Sequence, residues 1–258
     1  MQPGNCSYAM PVKIKTNCFL IRKQPYSETS VLMQIFSDRL GMASVLAKGL
    51  RKGKQQQDFL LNVLNEYEFV LSTSANSSIH ILCEMSILNE LPADLPLQTW
   101  TAAQAGAEIL TKLMLPDEEI PLFYKALRQY LDYLKGVTAN PIAIFWRYLL
   151  HLYKLLGIPV NLQLCSICHK DMTEPRGYSA DTGQLLCGNC FDKAPGVFAL
   201  EPEESHIIAL LPVIGNYLND LNLTTDNCQR INHFFLHYLS RQFHNTIRLN
   251  SLQLFESD

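Results

Sequence analysis

Two Cys-x-x-Cys pairs constrain the fold of this chain more than any other feature. Cys165 and Cys168 form the first pair, Cys187 and Cys190 form the second, and eighteen residues separate them. This spacing is typical of a tetrahedral zinc site, in which each pair occupies a tight turn and a hairpin returns the second pair to the first. Four cysteines complete the coordination sphere and leave no position for water or substrate. The spacing therefore predicts one structural Zn²⁺ and argues against a catalytic metal.

Other roles for the cysteines have less support. The deaminase signature, His-x-Glu with Pro-Cys-x-x-Cys, is absent, and a thioredoxin-like role needs a single pair that opens a helix in a βαβ setting. His169 could replace one sulfur, but the complete set of four cysteines favours a solvent-facing histidine. We interpret Cys18 and Cys83 as buried barrel residues.

The composition indicates an intracellular globular protein of more than one domain. The chain has 258 residues, of which 48% are hydrophobic, so it can bury a large core without disulfides. The net charge is -3, yet residues 1–85 carry nine Lys/Arg against six Asp/Glu, whereas the remainder carries twelve against eighteen. The N-terminal third is thus the basic part. No secretory signal is evident, and Arg147, His151 and Lys154 interrupt the longest apolar window, which predicts a buried helix, no membrane contact and a cytoplasmic location.

The sequence from Val12 to about Cys83 contains five short β-rich runs separated by turn residues. In the first run, Ile14, Thr16, Cys18 and Leu20 alternate with polar residues, as in a strand with one face inside and one in water. Five such strands without a long helix predict a small closed barrel. An OB-fold fits best, and an SH3-like barrel is the alternative.

Beyond "ELPADLPLQ" the apolar residues recur at helical spacing, with Pro near helix starts and Gly after two of the ends. We therefore expect an α+β multidomain protein: an N-terminal OB-fold β-barrel followed by a helical domain that carries an inserted four-cysteine zinc-binding module. The predicted domains are residues 1–85 for the barrel, 86–160 and 195–258 for the two parts of the helical domain, and 161–194 for the zinc module.

A basic loop follows the third predicted strand. Its sequence "KGLRKGK" contains Lys48, Arg51, Lys52 and Lys54 together with two glycines, and such a loop can follow a phosphate backbone. A solvated surface loop is an equal alternative on composition alone. The position favours nucleic acid, because OB-folds bind oligonucleotides at one end and on the face of the middle strands. Arg22, Lys23 and Arg39 extend the predicted DNA-binding patch.

Two further stripes mark the helical part. Arg230, His233, His237, Arg241, His244 and Arg248 recur at steps of three or four, so on a continuous helix they share one face. A shorter stripe consists of Arg147, His151 and Lys154. The arginines could bind phosphates or an acidic peptide, and a solvated helix face is the alternative. The stretch "HFFLH" lacks the Glu of His-Glu-x-x-His, which argues against catalytic zinc at His233 and His237.

Motifs for catalysis are missing from the sequence. There is neither a phosphate-binding Gly-x-x-x-x-Gly-Lys-[Ser/Thr] nor a dinucleotide-binding Gly-x-Gly-x-x-Gly. No nucleophile, base and orienting acid can be assembled either, so we assign no catalytic residue and expect a binding protein that is not an enzyme.

The order of these parts resembles the bacterial RecO recombination-repair family. Several stretches carry the resemblance: "LIRKQPYSETSVLMQIFSDRLGMASVLAKGLRKGK" with its Tyr-x-Glu turn and Lys-Gly loop, "LLGIPVNLQLCSICHK", "YSADTGQLLCGNC" and the closing "RLNSLQLF". The resemblance implies binding of single- and double-stranded DNA and annealing of complementary strands. It also implies action with RecR to load RecA onto DNA coated with single-stranded DNA-binding protein, without nucleotide hydrolysis, in the bacterial cytoplasm and at the nucleoid during repair.

Partner contacts are expected on the helical domain. The acidic C-terminal tail of single-stranded DNA-binding protein could dock on Arg147 and Lys154 or on the C-terminal stripe with Arg230, Arg241 and Arg248. Two alternatives to DNA annealing stay open: a zinc-ribbon adaptor that binds only proteins, and a zinc-ribbon transcription or translation factor.

Overall fold

The computed structural model describes residues 12–50, 61–73 and 77–256. Contacts divide the chain into two compact units. Unit 1 comprises Met1–Pro92 and Met114–Lys125, and unit 2 comprises Ala93–Leu113 and Ala126–Asp258. The fifth strand runs to Asn89, so it crosses residue 85, where the sequence analysis placed a boundary. The four predicted domains stay predictions of separately folding parts.

Unit 1 is a closed five-stranded barrel with the strand order β1-β2-β3-β5-β4. All neighbouring strands are antiparallel except β3 and β5, which pair in parallel. This topology is that of an OB-fold, so the predicted fold class is confirmed and the SH3-like alternative is excluded. The strands are β1 Val12–Pro25, β2 Val31–Ser37, β3 Gly41–Ala47, β4 Glu66–Thr73 and β5 Ile79–Asn89.

The alternation predicted for β1 directs Thr16, Cys18 and Leu20 into the barrel, where all three are buried. Cys83 does not follow its prediction, because it is exposed. The reason lies in the pairing of β4 with β5: Leu71 faces Leu82 and Val70 faces Glu84, so Cys83 is the extra residue of a β-bulge. A bulge turns its extra residue out of the regular alternation.

The segment Met114–Lys125 belongs to unit 1, although its helical pattern suggested the helical domain. Tyr124 packs its ring against Phe19 with centroids 5.1 Å apart. The Tyr124 hydroxyl donates a 2.7 Å hydrogen bond to Oε1 of Glu66, a carboxylate buried at the start of β4. Burial and this carboxylate raise the pKa of Tyr124. Helical periodicity alone cannot show against which core a helix packs.

Unit 2 consists of helices around an aromatic core, with a small three-stranded sheet of order β7-β6-β8. Tyr130 stacks on Tyr148 with centroids 4.3 Å apart and donates a 2.6 Å hydrogen bond to the carbonyl of Ala102. The helices of the chain are α1 Leu97–Leu110, α2 Ile120–Leu134, α3 Pro141–Leu155, α4 Gly188–Phe191, α5 Pro202–Leu210, α6 Thr225–Phe243 and α7 Gln253–Glu256, of which α2 begins in unit 1. The strands of unit 2 are β6 Gly177–Ser179, β7 Leu185–Leu186 and β8 Val197–Ala199. One 3₁₀ turn, Asp117–Glu119, lies in unit 1, and the turns Leu211–Asn216 and Asn250–Leu252 lie in unit 2.

Helix α6 is the longest helix in the described part of the chain. Thr224 and Asn227 form a capping box at its start, and Asn232 accepts a 2.8 Å hydrogen bond from Nε1 of the buried Trp146. The helix ends at Phe243, where His244 adopts a left-handed conformation with φ 50°. The continuous helix assumed for the C-terminal stripe therefore stops before Arg248. Among the described residues, none of the helices has the length and apolarity needed to cross a bilayer.

We predict that Tyr124→Phe lowers the free energy of unfolding by about 1 to 3 kcal/mol, because it removes a hydrogen bond from a buried carboxylate. Urea unfolding followed by circular dichroism measures the effect. Tyr26→Phe is the matched control, since Tyr26 is exposed. Equal stability of the two variants would show that the buried hydrogen bond contributes nothing.

Candidate functional site

The structure brings Cys165, Cys168, Cys187 and Cys190 into one cluster, with all four sulfurs within 4.8 Å of one another. The sulfurs of Cys168 and Cys187 are 3.8 Å apart. A tetrahedron with metal–sulfur bonds of about 2.3 Å has an edge of about 3.8 Å, so the cluster has the size that zinc requires. These residues could hold a metal ion, and four thiols leave no open coordination position.

Two short backbone turns present the sulfurs. In the first turn, the N–H of His169 donates to the carbonyl of Cys165 at 2.9 Å, and His169 has φ 55°. In the second, Cys187 precedes α4 and its carbonyl accepts from the N–H of Cys190 at 3.1 Å. The N–H of Ser166 donates to the carbonyl of Leu185 at 3.0 Å and holds the two turns together. His169 is exposed, as expected for a neighbour of the cluster.

The pKa values of the clustered thiols indicate that a bound cation would stabilise the cluster. Burial opposes ionisation of Cys165, but backbone N–H groups, including that of Cys168, outweigh it and bring the pKa of this thiol to about 6. Burial and the three neighbouring sulfurs raise the pKa of Cys190 to about 12. The first thiolate therefore forms easily and the last does not. A bound metal ion removes this opposition because it deprotonates coordinating thiols.

Residues 161–199, which contain the four cysteines and strands β6 to β8, form a metal-binding module that packs against α6. Tyr178 on β6 shares a 2.6 Å hydrogen bond with Nδ1 of His233, and Nε2 of His237 donates to the carbonyl of Ala180 at 2.8 Å. Arg241 binds Asp181 through Nη2 at 2.9 Å and donates from Nε to its carbonyl at 2.6 Å. The module and the helix thus form one packed structure. β8, which completes the module's sheet, lies beyond the predicted end of the module at residue 194.

The C-terminal stripe, though not on one helix, borders a single groove in unit 2 with a volume of about 1280 Å³. Two of its arginines already bind carboxylates: Arg241 binds Asp181, and Arg230 binds Asp226 at 3.0 Å and the buried Glu204 at 3.5 Å. Arg248 is exposed. The six stripe residues that line the groove are Arg230, His233, His237, Arg241, His244 and Arg248.

The second stripe lies on α3, where Arg147 and Lys154 are both exposed. Exposed apolar side chains occur close to Arg147: a Cβ added at Gly215 would lie 3.4 Å from its Nη1 and would also meet the Tyr133 hydroxyl. Val213 and Tyr217 flank Gly215 on the neighbouring turn and are 48% and 41% exposed. Arg147 therefore lies near Tyr133 and near the turn that carries Val213 and Tyr217.

Three of the predicted DNA-binding residues lie toward one end of the barrel. Pro25, Val31 and Ala47 pair in one row across β1, β2 and β3, and Lys48 directly follows this row. Arg22 and Lys23 precede it on β1, and all three cations are exposed. Arg39 lies elsewhere, in the turn at the opposite end of β2 and β3. The remaining loop cations, Arg51, Lys52 and Lys54, lie outside the described residues.

Tyr26, which has no role in the predicted DNA-binding patch, directly follows Pro25 at the same end of the barrel. Its side chain is 61% exposed. Hydrogen bonds shape its turn, because the N–H of Tyr26 donates to the carbonyl of Ser30 at 3.0 Å. Tyr26 follows Pro25 and Lys48 follows Ala47. Pro25 and Ala47 are two strands apart in the row, which is about 10 Å at a strand spacing of about 4.8 Å. The sequence offered one signal for a role of Tyr26 in binding, namely an aromatic residue in a turn between basic residues.

Fold and site together define a class: an OB-fold barrel joined to a helical unit that carries a four-cysteine metal-binding module. Residues 10–90 match the family described as "Recombination protein O N terminal", and residues 96–252 match "Recombination protein O C terminal". The chain therefore belongs to the RecO family, as the sequence resemblance indicated. This membership supports a role in DNA repair and recombination.

Curated relatives agree with the family assignment. The chain is 25% identical over 229 residues to a protein named DNA repair protein RecO from Oceanobacillus iheyensis, covering 87% of this chain and 86% of the relative. It is 25% identical over 183 residues to the protein of that name from Bacillus cereus, covering 70% and 72%. The corresponding protein of Bacillus cytotoxicus is 26% identical over 175 residues, covering 67% and 68%.

We predict that Cys187→Ser loses the bound metal and unfolds at lower temperature, because three thiolates leave the tetrahedral site open. Elemental analysis and thermal unfolding measure the two effects. Cys83→Ser, an exposed cysteine away from the cluster, is the matched control and should change neither. A Cys187→Ser protein that kept its metal and its melting temperature would refute the four-thiolate site.

Proposed function

We propose that this protein is a non-enzymatic recombination mediator that binds single- and double-stranded DNA and anneals complementary strands. Together with RecR it helps to load RecA onto DNA coated with single-stranded DNA-binding protein. The observation that carries this proposal is the OB barrel end where exposed cations flank the exposed ring of Tyr26. The proposed place of action is the bacterial cytoplasm, at the nucleoid during repair.

Charge neutralisation drives the proposed annealing. Lys48, Arg22 and Lys23 contact phosphates together with the loop residues Arg51, Lys52 and Lys54, and the bases stay available for a second strand. Tyr26 supplies a stacking surface for one base, which orients the strand without reading its sequence. Arg39 is the weakest of the predicted contacts, because its turn lies at the other end of the β2–β3 pair.

One Zn²⁺ is the proposed metal, with a structural role. One pair of sulfurs is 3.8 Å apart, as in a tetrahedral zinc–thiolate site, and all four lie within 4.8 Å of one another. Thiolate ligands suit zinc better than magnesium or calcium. When bound, the ion supplies folding energy to the module. Cys165, Cys168, Cys187 and Cys190 hold it, and the packing against α6 transmits the order of the module to the helix.

For the acidic tail of single-stranded DNA-binding protein, we favour Arg147 and Lys154 over the C-terminal stripe. Arg147 combines a positive charge with a nearby aromatic side chain, because Arg147 and the 46% exposed Tyr133 both approach Gly215. RecR and, through it, RecA are further proposed partners.

The first test is annealing of complementary oligonucleotides precoated with single-stranded DNA-binding protein, followed by fluorescence. We predict that the native protein accelerates annealing and that a Lys48, Arg51, Lys52 and Lys54 to Ala variant loses most of this effect. On bare single strands, these four cations should contribute about -3 to the slope of log K against log salt, and the variant should lose that part of the slope.

The control for that variant removes four exposed lysines elsewhere: Lys112, Lys125, Lys170 and Lys193. It should keep both the annealing rate and the salt slope. If the control loses annealing and salt slope as strongly as the loop variant does, net charge and not the loop determines binding. If the folded, metal-loaded native protein gives no acceleration, the alternative is favoured: a zinc-ribbon adaptor that binds proteins.

We predict that Tyr26→Ala weakens binding of oligo(dT) by about tenfold, since stacking on an aromatic side chain contributes about 1 to 3 kcal/mol per base. Fluorescence anisotropy at several salt concentrations measures the change. Tyr26→Phe keeps the ring and should bind normally, and the salt slope should be the same in all three proteins. An affinity unchanged in Tyr26→Ala would remove the ring from the site.

A peptide with the acidic tail sequence tests the docking surface. We predict that Arg147→Glu combined with Lys154→Glu weakens its binding at least about tenfold, because each change replaces attraction by repulsion. Calorimetric titration gives the affinity, and Arg248→Glu serves as the comparison on the other stripe. If neither set of changes affects binding, the tail docks elsewhere.

A further inference from the structure

The groove in unit 2 has three walls built from different parts of the chain. Helix α6 forms one wall, residues 244–256 form the second, and the metal-binding module contributes Tyr178 and Phe198 as the third. Its volume of about 1280 Å³ exceeds the roughly 300 to 1,000 Å³ of small-molecule pockets. The groove therefore suits a segment of a polymer better than a small ligand.

The charged groups that line the groove favour an anion. They include Arg230, Arg241 and Arg248, whereas Glu256 is the only carboxylate among the described residues that line the groove. Glu256 itself accepts a 3.0 Å hydrogen bond from Asn232. The carboxylates that Arg230 and Arg241 bind at the rim, Asp226 and Asp181, are 66% and 88% exposed. Such surface ion pairs are weak, so an incoming phosphate can compete for these guanidinium groups.

Aromatic rings occupy the floor between these arginines. His233 and His237 stack with centroids 5.6 Å apart and an interplanar angle of 19°. Phe198 meets both rings edge-on, at 5.1 and 5.3 Å, and its side chain is 39% exposed. Burial and the neighbouring His237 lower the pKa of His233, which favours the neutral form of this ring. The floor thus offers a cluster of aromatic rings of which Phe198 is partly exposed.

We infer that this groove is a second binding site for single-stranded nucleic acid, in which Arg241 and Arg248 contact phosphates and Phe198 and His233 contact bases. Arginines interleaved with rings are the combination that sequence-independent strand binding uses. An acidic peptide would use the arginines but leave the ring surface without a partner. The inference rests on the proposed annealing function, because pairing requires two strands and the barrel provides a site for one.

Crosslinking locates the second strand directly. The full-length, metal-loaded protein is irradiated with an iodouracil-substituted dT oligonucleotide of fifteen residues, and modified peptides are identified by mass spectrometry. We expect crosslinks at Phe198 or within residues 230–248, besides those on the barrel. Absence of any crosslink to these groove residues, while barrel crosslinks form, overturns the inference.

Variants and stoichiometry provide an independent readout. We expect the native chain to bind two dT oligonucleotides and Arg248→Glu or Phe198→Leu to bind the second about tenfold more weakly. Phe198→Leu keeps an apolar side chain in the module and removes only the ring, so it tests the site without unfolding it. Lys112→Glu makes the same charge change at an exposed site of unit 2 that does not line the groove, and should bind both strands.

The outcomes separate this inference from the proposed function. If the native protein anneals strands rapidly and the Arg248→Glu and Phe198→Leu variants anneal them equally fast, the second site is overturned and the annealing function stands. Two bound strands without accelerated annealing would support the site and contradict the proposed function. Displacement of the groove crosslinks by a decapeptide of alternating Asp and Gly, with no loss of barrel crosslinks, would reassign the groove to an acidic peptide.

Discussion

The double pairing of β1 is the constraint on which the barrel depends. Residues Val12–Phe19 pair with β4, and Cys18–Pro25 pair with β2, so a single strand of 14 residues closes the barrel. A register shift between Leu20 and Arg22 accompanies the change of partner, because a strand that serves two sheets must bend and twist locally. This closure places the ends of β1, β2 and β3 in one row and thereby brings Tyr26 and Lys48 to the same end.

The helical unit depends in a similar way on α6, which joins the aromatic core to the metal-binding module. On its buried face, Asn232 accepts a hydrogen bond from Trp146. On its other face, His233 and Arg241 form hydrogen bonds with Tyr178 and Asp181 of the module. One helix therefore connects the stability of the four-thiolate cluster with the shape of the groove. If the cluster holds a metal ion, its loss would disturb the contacts of His233 and Arg241 with the module, although neither residue belongs to the cluster.

Much of the architecture follows from local patterns. All five barrel strands and the main helices occur where hydrophobic period and turn residues predict them, since period 2 and period 3.6 are properties of the sequence itself. The cysteine spacing likewise requires no tertiary information. Other features are decided by long-range contacts. Cys83 is exposed because a bulge in the pairing of β4 with β5 displaces it, and Met114–Lys125 packs on the barrel through Tyr124.

The sequence by itself determined the barrel class, the four candidate metal ligands and the concentration of positive charge in the N-terminal third, because spacing, alternation and composition are local or additive. Only the tertiary structure decided which of these residues meet. It places Arg39 and Lys48 at opposite ends of the β2–β3 hairpin. It also places all six stripe residues around one groove, although α6 ends at Phe243. The physical reason is that strand register, helix termination and packing against a distant segment are set by contacts between residues far apart in the chain.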